Sequence, residues 1–179
     1  VFYEKNKFVY ESIEKPLIKA ILRMEINGFK VDSNDLSNLS KNFSERVHKL
    51  EGKIYKIPGS EFNIGSPKQL SEVLFDQMGL ALSKKTKTGE RSTGIEVLED
   101  LSYEGHEIAK LIIEWRQLSK LKNTYADSLP NHIVKGTGRI HTSYAMASTS
   151  TGRLASSDPN LQNIPCLLYT SPSPRDSGK

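Results

Sequence analysis

The sequence contains a single cysteine, Cys166, which excludes a disulfide framework and a zinc site built from cysteines. No apolar run approaches the roughly 18 residues of a membrane span, and no short apolar segment follows basic residues near the start of the chain. We therefore expect no membrane partner and no secretory signal. The 179 residues are 26% charged and 36% hydrophobic, which is enough for one ordinary domain and the edge of a second.

Catalytic motifs are also scarce. Neither the phosphate-binding pattern GxxxxGKS/T nor the metalloprotease pattern HExxH occurs. Phosphoryl transfer by two metal ions needs at least two converging carboxylates. Beyond Asp127 the sequence contains only two acidic residues, Asp158 and Asp176, and Asp176 lies in the low-complexity segment at the end of the chain. The histidines have no metal-ligand spacing, and we predict surface or hydrogen-bonding roles for all of them: His48, His106, His132 and His141. We accordingly predict neither a catalytic nor a metal-binding residue in this chain.

The basic residues are unevenly distributed, although the net charge is only +4. From Trp115 to Arg153 the chain carries six basic residues against one acidic residue. A second basic cluster lies in a stretch rich in glycine and threonine: Lys84, Lys85, Lys87 and Arg91. Two basic zones favour a polyanion as partner, while a solvated surface explains the charge equally well.

The spacing of apolar residues predicts three helices. The first spans 8–27 and ends at Gly28, and residues 29–31 form a short extended connector. The second opens at Asp32 or Ser33, either of which can cap it, and continues to Pro58. The third runs from about residue 104 to residue 129. The second and third helices each carry one narrow apolar stripe, which favours an antiparallel hairpin of the two.

The segment between the two long helices predicts a small helical tip. Ser66-Pro67 is typical of a helix start, and Thr93-x-x-Glu96 matches a capping box. After residue 130 the pattern predicts a strand over 139–145 with a hairpin partner over 152–156. The predicted fold is mainly α, a long helical hairpin with a tip, followed by the first strands of an incomplete α+β domain.

Two groups of residues have the chemistry of nucleic-acid contacts. Arg116, Lys120 and Asn123 lie at i, i+4 and i+7, so they share one helix face, where they could follow successive phosphates; a solvated face is the alternative. The second group contains the residue types that donate to base edges, within eleven residues: Arg153, Asn160, Gln162 and Asn163.

Longer stretches of the sequence closely resemble the bacterial family A DNA polymerases. The pattern TGRL followed by DPNLQNIP is highly specific to that family. The matching stretches are collinear and cover about residues 10–165: 14–17, 24–32, 61–70, 84–89 with Ser92-Thr93, 114–125, 138–143 and 151–165. Ala155 stands where the family usually has serine.

The resemblance implies that residues 1–130 are mostly the thumb of a polymerase and that 131–165 begin its palm. Residues Cys166–Lys179 replace the expected continuation of the palm and fingers, and their low complexity predicts a disordered, artefactual tail. The chain is therefore expected to be an internal fragment that also lacks the upstream exonuclease-like domain of the family.

The resemblance also implies roles for particular residues. Contacts to DNA near the primer end are expected from Arg116, Lys120, Asn123 and Thr124. Phosphate contacts from the tip are expected from Asn63, Ser66, Ser92 and Thr93. Arg153 is expected to reach the minor groove at the primer-terminal pair, and the same template–primer track is expected to hold Asn160, Gln162 and Asn163.

The implied function is primer extension by a DNA-directed DNA polymerase, a nucleotidyltransferase of DNA replication and repair. The full-length parent would use Mg²⁺ and dNTPs on primer–template DNA, as a monomer in the bacterial cytoplasm, associated with the nucleoid. The fragment itself is expected to bind no metal and to be inactive. Two alternatives stay open: a non-catalytic helical DNA-binding module, and a helical hairpin that binds another protein.

Overall fold

The computed structural model describes residues 2–81 and 91–164. The fold is mainly helical with a few short antiparallel strands, which confirms the predicted fold class. The described residues form two compact units: the terminal unit (2–36 and 125–164) and the central unit (Ser37–Thr124). The predicted thumb and palm boundaries at residues 130 and 165 are functional divisions that stay predictions, and the predicted tail lies outside the described residues.

The terminal unit begins with a nearly continuous helix. Helix α1 (Phe2–Val9) passes through a wider, π-helical turn (Tyr10–Glu14) into α2 (Lys15–Asn27), so the helix starts earlier than predicted. Gly28 ends α2 as expected, with φ +56°, and its N–H donates to the Met24 carbonyl at 2.9 Å. A glycine is favoured here because side chains with a Cβ rarely adopt this φ.

The residues after Gly28 form a strand and not only a connector. Strand β1 (Phe29–Lys30) pairs antiparallel with β3 (Arg139–Ile140), which also pairs with β2 (Ile133–Val134). The sheet order is β1-β3-β2, and Ile140 at its centre is fully buried. Pairing across more than a hundred residues is invisible to local sequence patterns, which explains why the extended segment was not recognised as a strand.

The predicted single strand over 139–145 is wrong, because it divides into β3 and β4 (Ser143–Ala145). The break falls at His141 and Thr142, whose side chains bond to other segments: the His141 ring to the Glu25 carbonyl, and Thr142 to the carbonyls of residues 157 and 159. Strand β4 pairs antiparallel with β5 (Ala155–Ser157), which confirms the predicted hairpin partner within a few residues.

The central unit is helical, and its long helices match the sequence prediction closely. Asp32 caps α3, because its Oδ1 accepts hydrogen bonds from the backbone N–H groups of residues 34 and 35 at 2.8 and 3.3 Å. The helical segments are α3 (Ser33–Lys56), α4 (Pro67–Ser71) with a π-helical turn (Glu72–Gln77), α5 (Ile95–Tyr103), and α6 (Glu107–Leu121) with a π-helical turn (Lys122–Ala126). A short 3₁₀ helix (Leu129–His132) follows in the terminal unit.

One apolar core holds the central unit together. Ile54 near the end of α3 shares this core with Ile108 and Ile112 in the first half of α6, and with buried residues of α4 and α5. Ser44, nearer the start of α3, instead lines a depression with Asn123, which follows α6. Helices α3 and α6 therefore run antiparallel, as the two apolar stripes predicted.

Two local predictions at the tip have different outcomes. Ser66 caps α4 as expected, accepting from the Gln69 N–H at 3.5 Å, with Pro67 in the first turn. The capping box at Thr93 is wrong, because Gly94 is the N-cap of α5 and no side chain caps it. Thr93 is buried, and its carbonyl accepts from Arg116, so tertiary contacts decide its position. The third helix starts at Glu107, since residue 104 still belongs to the end of α5.

Candidate nucleic-acid interface

A cleft of about 980 Å³ lies in the central unit, and we call it the tip cleft. Its walls come from α4, the loop before α5, and the middle of α6. Four of the predicted DNA-contacting residues line it: Ser66, Ser92, Thr93 and Arg116. The sequence placed them in three separate segments, and the fold of the tip brings them together.

Arg116 connects α6 with the loop that precedes α5. Its guanidinium donates to the Thr93 carbonyl at 2.7 Å. The side chain is half-buried, and burial lowers the pKa of the Arg116 guanidinium. A guanidinium is not deprotonated in proteins, so the positive charge remains in the cleft wall. Arg116 therefore supports the tip structure and supplies charge to the cleft.

The two serines of the cleft have oriented hydroxyl groups. Ser66 Oγ accepts from the Gln69 N–H at 3.5 Å, and Ser92 Oγ accepts from the Gly94 N–H at 3.2 Å. A serine hydroxyl has one donor as well as its acceptor lone pairs. Both oxygens use acceptor capacity on the backbone, which leaves each O–H able to donate to an anion.

Asn63 lies beside these groups and shapes the turn that leads into α4. Its Oδ1 accepts from the Gly65 N–H at 2.9 Å, and its own N–H donates to Gln69 Oε1 at 2.7 Å. Gly65 lines the tip cleft, whereas Asn63 is exposed next to it. The side-chain carbonyl of Asn63 therefore has a structural role in the turn.

The cleft also contains charged residues that sequence reasoning did not assign to a site. Lys68 and Arg91 add two cations, while Glu72 and Asp76 add two carboxylates. Arg91 belongs to the basic cluster noted in the sequence, and Lys68 follows Ser66 by two positions, so weak signals existed for the cations. No local sequence pattern indicated that Glu72 and Asp76 would line this cleft. The three lysines of that cluster, at 84, 85 and 87, lie outside the described residues.

The remaining predicted contacts of this region follow one another at the end of α6. Lys120 is exposed in the last turn of α6, while Asn123 and Thr124 are exposed in the π-helical turn. A π-helical turn holds more residues than an α-helical one. Arg116 and Lys120, four residues apart within α6, share one face, whereas Asn123 belongs to the wider turn that follows α6. Asn123 lines a separate depression of about 340 Å³ together with Ser44.

In the terminal unit, the side-chain amides of Asn160 and Gln162, two of the predicted base-edge donors, make hydrogen bonds within the segment 154–162. Gln162 Nε2 donates to the Leu154 carbonyl at 2.7 Å, and its Oε1 accepts from the Ser156 N–H at 3.2 Å. Asn160 Oδ1 accepts from the Ser156 hydroxyl at 3.3 Å and from the Gln162 N–H at 3.0 Å. These amides hold the segment 160–162 against strand β5.

The other two predicted residues of this segment have exposed side chains. Asn163 uses its backbone carbonyl, which accepts from the Tyr125 hydroxyl. The Arg153 carbonyl accepts from Thr149 Oγ1 at 2.7 Å, and no contact of its guanidinium is found within the described ranges. Arg153 and Asn163 thus present polar side chains next to a strand fixed by Asn160 and Gln162.

His141 illustrates the hydrogen-bonding role predicted for the histidines. Its Nδ1 lies 2.8 Å from the Glu25 carbonyl, which can only accept, so Nδ1 carries the proton. Its Nε2 lies 2.8 Å from Thr137 Oγ1 and can accept from that hydroxyl. His48 and His106 lie near Glu51 and Glu104 at 3.0 and 3.6 Å. Across residues 2–81 and 91–164, no three histidine, cysteine, aspartate or glutamate residues group as a metal site.

The fold is similar to part of a solved polymerase domain. The POL domain of Pol1 from M. smegmatis, solved in complex with DNA primer-template and dNTP, superimposes with a TM-score of 0.76 and 38% sequence identity. The similarity covers 85% of this chain and 26% of that chain. The chain belongs to DNA polymerase family A, whose sequence model matches residues 33–176. This range includes part of the segment predicted to be a foreign tail, and the tail stays a prediction.

Curated relatives agree with this assignment. DNA polymerase I of Rhizobium leguminosarum is 53% identical over 157 residues, which are 88% of this chain and 16% of that protein. The thermostable DNA polymerase I of Thermus thermophilus is 47% identical over 163 residues, 90% of this chain and 20% of that protein. The chain thus spans about a fifth or less of these bacterial relatives. Within the described ranges, no helix has the length and apolar character to cross a membrane.

Proposed function

We propose that this chain is a DNA-gripping part of a DNA-directed DNA polymerase, whose full-length parent extends a primer on a template with dNTPs in replication and repair. The observation that carries the proposal is the tip cleft, where hydroxyl groups and cations from three segments converge. Family A membership and the likeness to a polymerase domain solved with primer-template and dNTP support the same reading.

The residues of the cleft are suited to binding the phosphate backbone of DNA and not to recognising its bases. Phosphates are bound by lysine, arginine, serine and backbone groups, and such contacts position a duplex without reading its bases. Ser66 and Ser92 offer hydroxyl donors, while Lys68, Arg91 and Arg116 offer positive charge. A polymerase has to hold every sequence that it copies, so contacts of this kind fit the proposed role.

The other exposed residues extend the proposed contacts. Lys120, Asn123 and Thr124 would contact DNA near the primer end, and Arg153 would reach the minor groove. Asn163 would lie along the same track. For Asn160 and Gln162 we propose a supporting role, because their amides already bind strand β5 and so fix the position of Arg153 and its neighbours.

We propose that the chemical step belongs to other parts of the parent. Mg²⁺ would act there, since only Asp158 and Asp176 follow Asp127 in this sequence and the described residues offer no cluster of metal ligands. By itself the chain would be a non-catalytic DNA-binding module. We place the parent in the bacterial cytoplasm near the nucleoid, as a monomer.

The test is fluorescence anisotropy of a labelled primer–template, titrated with the 179-residue chain at several salt concentrations. We expect sequence-independent binding that weakens with salt, and a further loss in Lys120→Ala. Lys110→Ala is the matched control, because Lys110 is also exposed on α6 but lies ten residues earlier and is not among the predicted DNA contacts. Binding that is absent, insensitive to salt, or equally weakened by both variants would contradict the proposal.

Trp115 provides a second readout of the same binding. It is the only tryptophan in the sequence, and it lines the tip cleft. Its Nε1–H donates to Glu51 Oε1 at 3.1 Å. We expect its fluorescence to change as primer–template DNA enters the cleft, with the same midpoint as the anisotropy. A primer-extension assay on the chain alone should give no product, and detectable extension would contradict the non-catalytic role.

A further inference from the structure

The tip cleft contains an ion pair whose carboxylate would repel the proposed ligand, a DNA phosphate. The Arg91 guanidinium pairs with the Asp76 carboxylate, and both residues line the cleft. The Arg91 guanidinium also lies over the Phe75 ring, 5.9 Å from its centroid. Glu72, one turn before Asp76, lines the same wall. A surface built only to attract phosphates would gain nothing from these two carboxylates.

The ion pair determines which cations are available to an anion. Arg116 is bonded to the Thr93 carbonyl, and Arg91 is bonded to Asp76. Lys68 has no ion pair within the part of the chain that the structure describes. A phosphate can therefore bind Arg91 only by replacing the Asp76 carboxylate. If the carboxylate stays in place, its negative charge repels the phosphate.

The pair is well placed for such an exchange. Both side chains are about half exposed, at 44% for Arg91 and 57% for Asp76, so solvent screens their attraction and the pair opens at little cost. The Phe75 ring is itself buried, and a cation over an aromatic face is held independently of the carboxylate. Arg91 can thus stay at the cleft when Asp76 releases it.

We propose that Asp76 is a built-in competitor for the DNA phosphate at Arg91, which weakens the grip of the tip on DNA and makes it readily reversible. This inference rests on the proposed function, because it assumes that the tip cleft binds the phosphate backbone. In this proposal Asp76 weakens DNA binding because it pairs with Arg91 when DNA is absent. The Asp76 carboxylate itself makes no contact with DNA in the bound state.

The test is the variant Asp76→Asn, measured by the same anisotropy titration with the same primer–template. We expect about two- to fivefold tighter binding, the range that corresponds to the loss of one exposed ion pair. The plot of log affinity against log salt should become steeper, by less than about 0.9, because only the unmodified chain has to open the Arg91–Asp76 pair, a step that salt favours. Circular dichroism should show unchanged helix content.

Two further variants separate local competition from a general change in charge. Glu99→Gln removes one negative charge from an exposed position on α5 outside the cleft, and it should leave the salt slope unchanged. Arg91→Gln combined with Asp76→Asn should abolish the gain, since the released cation is then missing.

The outcomes distinguish this inference from the proposed function. If the unmodified chain does not bind primer–template at all, the proposed function fails, and this inference fails with it. If the unmodified chain binds but Asp76→Asn matches Glu99→Gln, only the competition is refuted. Weaker binding by Asp76→Asn would also overturn it, because Asp76 would then position Arg91 for DNA and not compete with DNA.

Discussion

Gly28 gives the sharpest structural prediction, because two independent constraints meet at this residue. Its backbone has φ +56° and ψ −168°, a conformation essentially limited to glycine. A Cβ at this position would lie 2.5 Å from the Ile140 carbonyl oxygen and 2.9 Å from the His141 ring. Both atoms belong to the segment that pairs with β1, so Gly28→Ala strains the backbone and pushes against the centre of the sheet.

The expected cost can be estimated from these two effects. The backbone conformation costs an alanine about 1–3 kcal/mol. Overpacking against a structure that cannot easily move costs about 1–3 kcal/mol more. The Ile140 carbonyl cannot move freely, since Ile140 is fully buried and pairs with Phe29 on one side and Ile133 on the other. We therefore expect Gly28→Ala to lower the free energy of opening the sheet by about 2–6 kcal/mol.

The matched control is Gly138→Ala in the same unit. Gly138 has φ +64°, but no atom lies within 4 Å of a Cβ built on it. Only the backbone term applies there, about 1–2 kcal/mol. Amide hydrogen exchange, measured by mass spectrometry on peptides that cover β1 and β3, reports the opening of the sheet directly and does not require two-state unfolding of the whole chain. The reasoning is refuted if the two variants accelerate exchange equally.

Three further predictions concern the central unit and the helix that leads into it. Asp32→Ala removes the N-cap of α3 and should lower the free energy of unfolding by about 1 kcal/mol in urea titrations; an unchanged midpoint would show that the cap is dispensable. Ile112→Ala opens a cavity at a fully buried position and should cost about 2–5 kcal/mol in the same assay, whereas a cost near zero would contradict the observed core. Burial, then the charges of Glu51 and Glu61, raise the pKa of Tyr55. Glu61→Gln should lower that pKa in an ultraviolet titration of the phenolate, and the stability that this raised pKa contributes should be lost as the pH rises through it.

Local chemistry explains what the sequence predicted correctly. Asp32 and Ser66 cap their helices through bonds to residues two or three positions away, and Gly28 ends α2 with a bond to Met24. The packing of α3 and α6 could be predicted because each helix carries apolar residues at helical spacing on one face, and each face can be buried against the other. The expected DNA contacts came from the family motifs, because these motifs contain the residue types of a binding surface even where the geometry of that surface is unknown.

The features that sequence reasoning missed depend on residues distant in the chain. Strand β1 exists because β3 supplies its hydrogen-bonding partner, more than a hundred residues later. Thr93 is buried and its carbonyl accepts from Arg116, while Gly94 is the N-cap of α5. The regular α-helical part of α6 ends where a π-helical turn begins at Lys122, and nothing in the spacing of the residues indicated that turn.

By itself, the sequence determined the family, the helical framework and the residue types that could meet a phosphate. Only the tertiary structure decided which of them share a surface. It placed Ser66, Ser92 and Arg116 around one cleft and bound Gln162 to its own strand. It also paired Arg91 with Asp76. Hydrogen bonds and ion pairs act over a few ångströms, so the availability of a side chain depends on its neighbours in space, which a pattern along the chain does not contain.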